Sequence, residues 1–213
     1  GELAVRVNRF ANALGNLGVR PEERVLVCLL DTIDFPTAFL GSIKAGVVPI
    51  AANTLLTPRD YEFMLRDSRA RVLVVSAALL PAFRPLLGNV ASLRHVIVSG
   101  GTGADLPAGA LPFGPFVAAG GADFEAADTT CDDVCFWLYS SGSTGVPKGT
   151  MHVQSSLATT AYLHGGPVAG IRVDDVVFSA AKLFFAYGLG NGLTYPLTFG
   201  ATTILMAERP TPE

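Results

Sequence analysis

The chain alternates between short, continuously apolar runs and longer segments whose apolar residues recur every three or four positions. Leu3, Val7, Phe10, Leu14 and Leu17 are spaced as one face of an amphipathic helix, which Gly15 and Gly18 loosen ahead of Pro21. Residues 25–30 then read as a buried parallel strand, with Asp31 and Thr32 as candidate caps for a helix over 33–45 that Gly46 stops. A strand over 47–50 follows. Thr57, Pro58 and Asp60 supply a cap, a first-turn proline and an acidic residue for a helix running to Asp67. Strands over 72–75 and 95–98 flank a helical stretch at 77–87 that Pro81 and Pro85 interrupt.

Beyond Ser99 the pattern loosens. Residues 99–121 shift to glycine, alanine and proline, which predicts a long irregular excursion or a short hairpin rather than a core element. Gly101 and Gly103 imitate the start of a dinucleotide fingerprint, but Leu106 holds the third glycine position and no helical pattern follows. Asp123, Glu125, Asp128, Asp132 and Asp133 mark a solvated connection. Periodicity returns with a buried strand at 134–139, a helix over 152–163, a strand at 175–178, a glycine-rich aromatic segment at 183–192 and a β-branched strand at 201–206. Alternation of strand and helix on this scale predicts an α/β fold, doubly wound, with mostly parallel sheets flanked by helices.

The candidate chemistry is concentrated where the 134–139 strand breaks into Ser140-Ser-Gly-Ser-Thr-Gly-Val-Pro-Lys-Gly149. Gly142, Gly145 and Gly149 let the backbone bend so that successive N–H groups face one anion; Ser140, Ser141, Ser143 and Thr144 add hydroxyl donors, and Lys148 adds a point charge. That is a phosphate loop. It is not a Walker loop, which needs Gly-Lys-Ser/Thr after four free positions, whereas Pro147 and Lys148 follow Gly145-Val146 here. The helix expected at 152–163 would place its N-terminus near the same anion.

The eleven residues from Tyr139 to Gly149 resemble the signature loop of the adenylate-forming superfamily, which includes acyl- and aryl-CoA ligases, luciferases and the adenylation domains of peptide synthetases. The resemblance extends along most of the chain, through Val5, Asn8 and Ala11, through Lys44-Ala-Gly-Val-Val-Pro49, and into the aromatic segment at 183–200. It implies that residues 1–213 are the front part of a large N-terminal domain. The rest of that domain, with its adenine and ribose anchors, and a C-terminal domain with a catalytic lysine would lie outside them. The 213 residues alone are therefore expected to be inactive.

The implied reaction is ATP-dependent: a carboxylate attacks the α-phosphate, and CoA then displaces AMP from the acyl-adenylate. By the same resemblance the loop holds the β- and γ-phosphates, Lys148 and Thr144 act in catalysis, and Thr144 is the hydroxyl nearest Mg²⁺. Amino-acid-activating relatives keep an aspartate where Tyr187 stands. Phe184, Phe185, Ala186, Tyr187 and Gly188 instead form a segment like that of benzoate- and hydroxybenzoate-CoA ligases, and its flat apolar surface with a phenolic handle suits an aromatic ring. Two other readings stand beside an aryl-CoA ligase: a fatty-acyl or other acyl-CoA ligase with a more aliphatic pocket, and a non-catalytic nucleotide-binding module.

Composition narrows the field further. Half of the 213 residues are hydrophobic and 15% are charged, ample for a large core, and a net charge of −3 offers no basic field for nucleic acid. No apolar run of about 18 residues suggests a membrane span. The first 17 residues lack the features of an export signal, so a cytoplasmic address is expected. Cys28, Cys131 and Cys135 have neither zinc-site spacing nor a nearby histidine and read as buried or inert thiols. His95, His152 and His164 are scattered and read as structural.

Overall fold

The computed structural model describes residues 1–101, 106–141 and 147–211; the backbone of Ser141 is included, without its side chain. The expectations for Gly142, Ser143, Thr144 and Gly145, and for Thr102 and Gly103, lie outside the described residues.

The first half is a run of βα units. Helix α1 (Glu2–Asn16) leads into β1 (Arg24–Cys28), α2 (Asp34–Lys44), β2 (Val48–Ala51), α3 (Pro58–Ser68) and β3 (Val72–Ser76). Thr57 opens α3 with the expected reciprocal cap, its hydroxyl accepting from the Asp60 N–H while the Asp60 carboxylate accepts from the Thr57 N–H. Thr32 accepts from the Asp34 N–H at 3.3 Å, whereas Asp31 is engaged elsewhere. The prolines at 81 and 85 restrict the next stretch to a 3₁₀ turn, the single turn α4 (Leu80–Phe83) and a second 3₁₀ turn, before β4 (His95–Ser99).

Where an irregular excursion was expected, β5 (Leu111–Pro112) and α5 (Phe113–Ala118) form instead. Phe113 and Phe116 are buried and meet the Phe10 ring at centroid distances of 5.7 and 5.6 Å. Six residues are too few for a clear helical period, and contact with α1 decides the matter. The acidic stretch after it is solvent-exposed at Asp123, Glu125, Asp128, Asp132 and Asp133, as its charge predicts.

A second correction concerns the segment after the loop. Strand β6 (Val134–Ser141) is followed by β7 (Pro147–Val153), antiparallel to it, and only then by the short α6 (Ser155–Thr160). The phosphate loop thus joins the two strands of a hairpin rather than a strand and a helix. Later come β8 (Val176–Phe178), α7 (Ala186–Leu189), α8 (Tyr195–Phe199) and β9 (Thr202–Ile204), with π-helical turns over Ala161–Gly165 and Gly190–Thr194.

Among the described residues the strands form a seven-stranded sheet in the order β5-β4-β3-β1-β2-β6-β7, parallel except for the β6–β7 pair, and a two-stranded parallel sheet β8-β9. Period-two alternation splits the main strands between two cores. Val25, Val27, Val72 and Val74 face α1, α2 and α5, together with Phe136, Leu138 and Phe184. Leu26, Cys28, Leu73 and Val75 face Tyr61, Met64 and Leu65 of α3, with Phe83. Helices therefore cover both faces, as a doubly wound sheet requires. Among the described residues no helix is long and apolar enough to cross a membrane.

Of the cysteines, Cys28 and Cys135 are buried, and burial pushes each thiol up to about 12, so both stay protonated and inert at neutral pH. Cys131 is a free, exposed thiol in the solvated acidic connection.

Candidate nucleotide and carboxylate site

The hairpin register sets the geometry on either side of the stretch expected to bind phosphate. Ser140 lies opposite Lys148, Tyr139 opposite Gly149, and Leu138 opposite Thr150. Pro147 is tolerated because it begins an edge strand, where no ladder N–H is lost. Side chains alternate along each strand, so Lys148, Thr150 and His152 share one face of β7. The Lys148 side chain is exposed and forms no ion pair with any described residue.

A cleft of about 550 Å³ opens beside this hairpin. Ser140, Pro147, Thr150 and His152 form one side, Asn53 and Asp60 contribute from the carboxyl end of β2 and the start of α3, and Phe184, Phe185 and Ala186 form the apolar wall. It lies outside the carboxyl ends of β2 and β6, neighbours in the sheet that are far apart in sequence. Open α/β sheets bind ligands in crevices of this kind, outside the carboxyl ends of their strands. Phe184 and Phe185 also line a second, largely apolar cleft of about 430 Å³ with Leu29, Asp31, Thr54 and Lys182.

The five residues of the predicted aromatic segment are separated by the fold. Phe184 is buried in the core, Phe185 is half exposed and divides the two clefts, and Ala186 lines the first. Tyr187 is 70% exposed and does not line either cleft. Gly188 is buried against the backbone of residues 181–182.

Three features of the site carried no sequence signal. Asp31, 7% exposed, accepts from the Leu183 N–H and lies 3.9 Å from the Lys182 ammonium, which donates to the carbonyls of Met206 and Glu208 at 2.5 Å. Burial raises its carboxyl above the usual range, against the pull of Leu183 and Lys182. Tyr139 donates to Asp67 across 72 positions of sequence. His152 stacks on Phe136, ring centroids 4.6 Å apart and planes 4° from parallel. Alternation of polar and apolar residues over 147–153 was the one clue to the β7 face.

Burial lowers the His152 imidazole below its ordinary range, so the folded ring binds its proton less tightly than the unfolded one. Its contribution to stability is full above the unfolded value of about 6.5 and declines as pH falls toward the depressed folded value. His152→Phe, which keeps the stack, is expected to flatten that part of the acid-side loss in melting temperature. An NMR titration of the wild-type ring should give a midpoint below that of a free imidazole. A midpoint at or above it would refute the assignment.

Residues 1–213 match the family described as AMP-binding enzyme. The chain is 64% identical over 212 residues to a benzoate–CoA ligase from Thauera aromatica, covering 99% of this chain and 39% of that protein. A solved benzoate CoA ligase from Burkholderia xenovorans LB400 superposes with a TM-score of 0.89 at 53% identity, covering 99% of this chain and 40% of the other. An anthranilate CoA ligase solved with anthranoyl-AMP superposes with a TM-score of 0.93 at 39% identity, covering 97% and 39%. The chain thus spans about 40% of the length of the relatives it matches.

Proposed function

Since the chain belongs to the family of AMP-binding enzymes, we propose that it forms the front part of the large N-terminal domain of an aryl-carboxylate–CoA ligase. That enzyme activates a benzoate-like acid as its acyl-adenylate and transfers it to CoA. The observation that carries this reading is the cleft in which a phosphate-binding hairpin faces an apolar wall of Phe184, Phe185 and Ala186. A triphosphate and a flat apolar acid would be neighbours there. The names of the similar proteins, which speak of benzoate and anthranilate, support the same acid class.

In the reaction a carboxylate oxygen attacks the α-phosphorus of ATP and the bond to pyrophosphate breaks. CoA sulfur then attacks the acyl carbon, losing its proton, and AMP departs. Charge gathers on the phosphates in the first step, so the hairpin contributes mainly electrostatics. Ser140, Ser141, Ser143 and Thr144 offer hydroxyls, the glycine-rich backbone offers N–H groups, and Lys148 meets the leaving pyrophosphate. Mg²⁺ would supply further neutralisation. It keeps several waters and takes substrate phosphates more readily than an all-protein cage, and the hydroxyl donors of Ser140 and Thr144 fit such a hydrated ion. We place the protein in the cytoplasm, where ATP and CoA are available and free thiols persist.

The test is to assay the full-length protein with ATP, CoA and a panel of benzoates, cinnamates and fatty acids, following pyrophosphate release. Benzoates should lead. Phe185→Ala is expected to weaken binding of the preferred acid by about 1–3 kcal/mol, the scale of losing one aromatic wall, whereas Tyr187→Ala, at a residue that lines neither cleft, should change it little. Equal preference for long-chain fatty acids would favour the aliphatic-pocket reading, and ATP binding without turnover of any acid would favour the non-catalytic one.

A further inference from the structure

The β6–β7 hairpin is a projecting element. Among the described residues, strand β6 pairs with the body of the sheet only through Ile50 opposite Trp137 and Ala51 opposite Leu138, while the β6–β7 ladder continues to Ser141 and Pro147. Tyr139 is the first residue past the last of those anchoring pairs. The part of the hairpin that carries Ser140 and Lys148 therefore extends beyond its pairing with β2, and its tilt there depends on side chains rather than on a continued ladder to that strand.

Two contacts are built at that point. The Tyr139 hydroxyl donates to the Asp67 carboxylate at 2.5 Å, the range of a short, charge-assisted O–H···O⁻ bond. Opposite Tyr139, a Cβ on Gly149 would come within 3.2 Å of the Tyr139 ring and of Trp137, so glycine lets the ring lie close over the partner strand. Asp67 itself stands on firm ground. Its helix is capped at Thr57 and Asp60 and anchored by the buried Tyr61, Met64 and Leu65, and Asp60 reaches the cleft wall from the other end.

We infer that Asp67 and Tyr139 are positioning residues that brace the β6–β7 hairpin on α3 and so hold Ser140 and Lys148 in place for the phosphates of ATP. The inference rests on the ligase reading above. Neither residue needs to touch substrate. Burial and the neighbouring carboxylate both raise the Tyr139 phenol, which keeps its proton available as the donor.

The test uses the full-length protein. Tyr139→Phe, which removes one oxygen, and Asp67→Ala are each expected to raise the KM for ATP about tenfold, the scale of one charge-assisted hydrogen bond. The KM for the aromatic acid should change less than twofold. Because both variants break one bond, the double variant should be no worse than either single one. Asp67→Asn should fall between, since its amide oxygen still accepts. An unchanged KM for ATP in Tyr139→Phe, a parallel rise for both substrates, or additive single effects would overturn the brace. Should Asp67→Ala fail to fold, Tyr139→Phe against Asp67→Asn carries the comparison.

Calorimetric titration with a non-hydrolysable ATP analogue separates this inference from its premise. Wild-type protein that binds the analogue but activates no aromatic acid defeats the ligase reading and leaves the variants' affinities to decide the brace. Wild-type protein that binds no nucleotide defeats both.

Discussion

Lys148→Ala in the full-length protein should lower the rate of adenylate formation by about 100- to 1,000-fold, the usual loss when one donor aimed at transition-state charge is removed. Lys148 lies opposite Ser140 at the base of the phosphate-binding turn, exposed and without an ion pair among the described residues. Its charge is thus available to an incoming phosphate. As the bond to pyrophosphate breaks, negative charge grows on the leaving group, and an interaction that strengthens at that moment appears in kcat more than in substrate binding. The KM for the aromatic acid should stay within about twofold, because Lys148 is not among the residues that line the cleft with Phe184, Phe185 and Ala186. Lys148→Arg should recover part of the rate by restoring the charge. Pre-steady-state pyrophosphate release measures the effect, and kinetics unchanged in Lys148→Ala would remove this residue from the mechanism.

Gly188→Ala is expected to cost at least about 3 kcal/mol of stability, the upper end of overpacking penalties. A Cβ there would stand 2.0 Å from the carbonyl oxygen of Lys182 and 2.5 Å from that of Ala181. Both are backbone atoms with little freedom to retreat. The Leu183 N–H is bonded to Asp31, and the Lys182 ammonium to the carbonyls of Met206 and Glu208. Helix α7 would have to lift away and take Ala186 with it, so the acid-binding wall should be lost along with stability. Gly15→Ala is the control: nothing lies within 4 Å of its Cβ position, and a helical glycine exchanged for alanine should gain roughly 0.5–1 kcal/mol. Thermal or urea unfolding of both variants decides the matter. A Gly188→Ala protein as stable as wild type would mean that residues 181–188 are not packed as described.

The places where sequence reading succeeded share a physical cause, as do those where it failed. The buried strands at 25–28 and 72–76 are continuous apolar runs, and the α3 cap is made by residues three apart, so local pattern and final structure coincide. The failures depend on partners distant in sequence. Helix α5 has a weak pattern of its own and forms against Phe10, a hundred positions earlier. Residues 147–153 alternate polar and apolar over too short a run to be told from the start of a helix, and become a strand because they pair with β6.

The same division runs through the site. Local chemistry alone determined that residues 139–149 form a glycine-, hydroxyl- and lysine-bearing stretch, that the sheet is doubly wound and mostly parallel, and that the 183–188 segment lacks a carboxylate for an ammonium group. Each is a property of neighbours along the chain. Tertiary structure alone decided that this stretch lies in a hairpin, that Phe184 is packed into the core behind the cleft while Phe185 and Ala186 are exposed in it, and that His152, Asp67 and Asp31 belong to its surroundings. Hydrogen bonds such as Tyr139 to Asp67 join groups 72 positions apart, and no local period encodes which distant side chain will arrive at that distance.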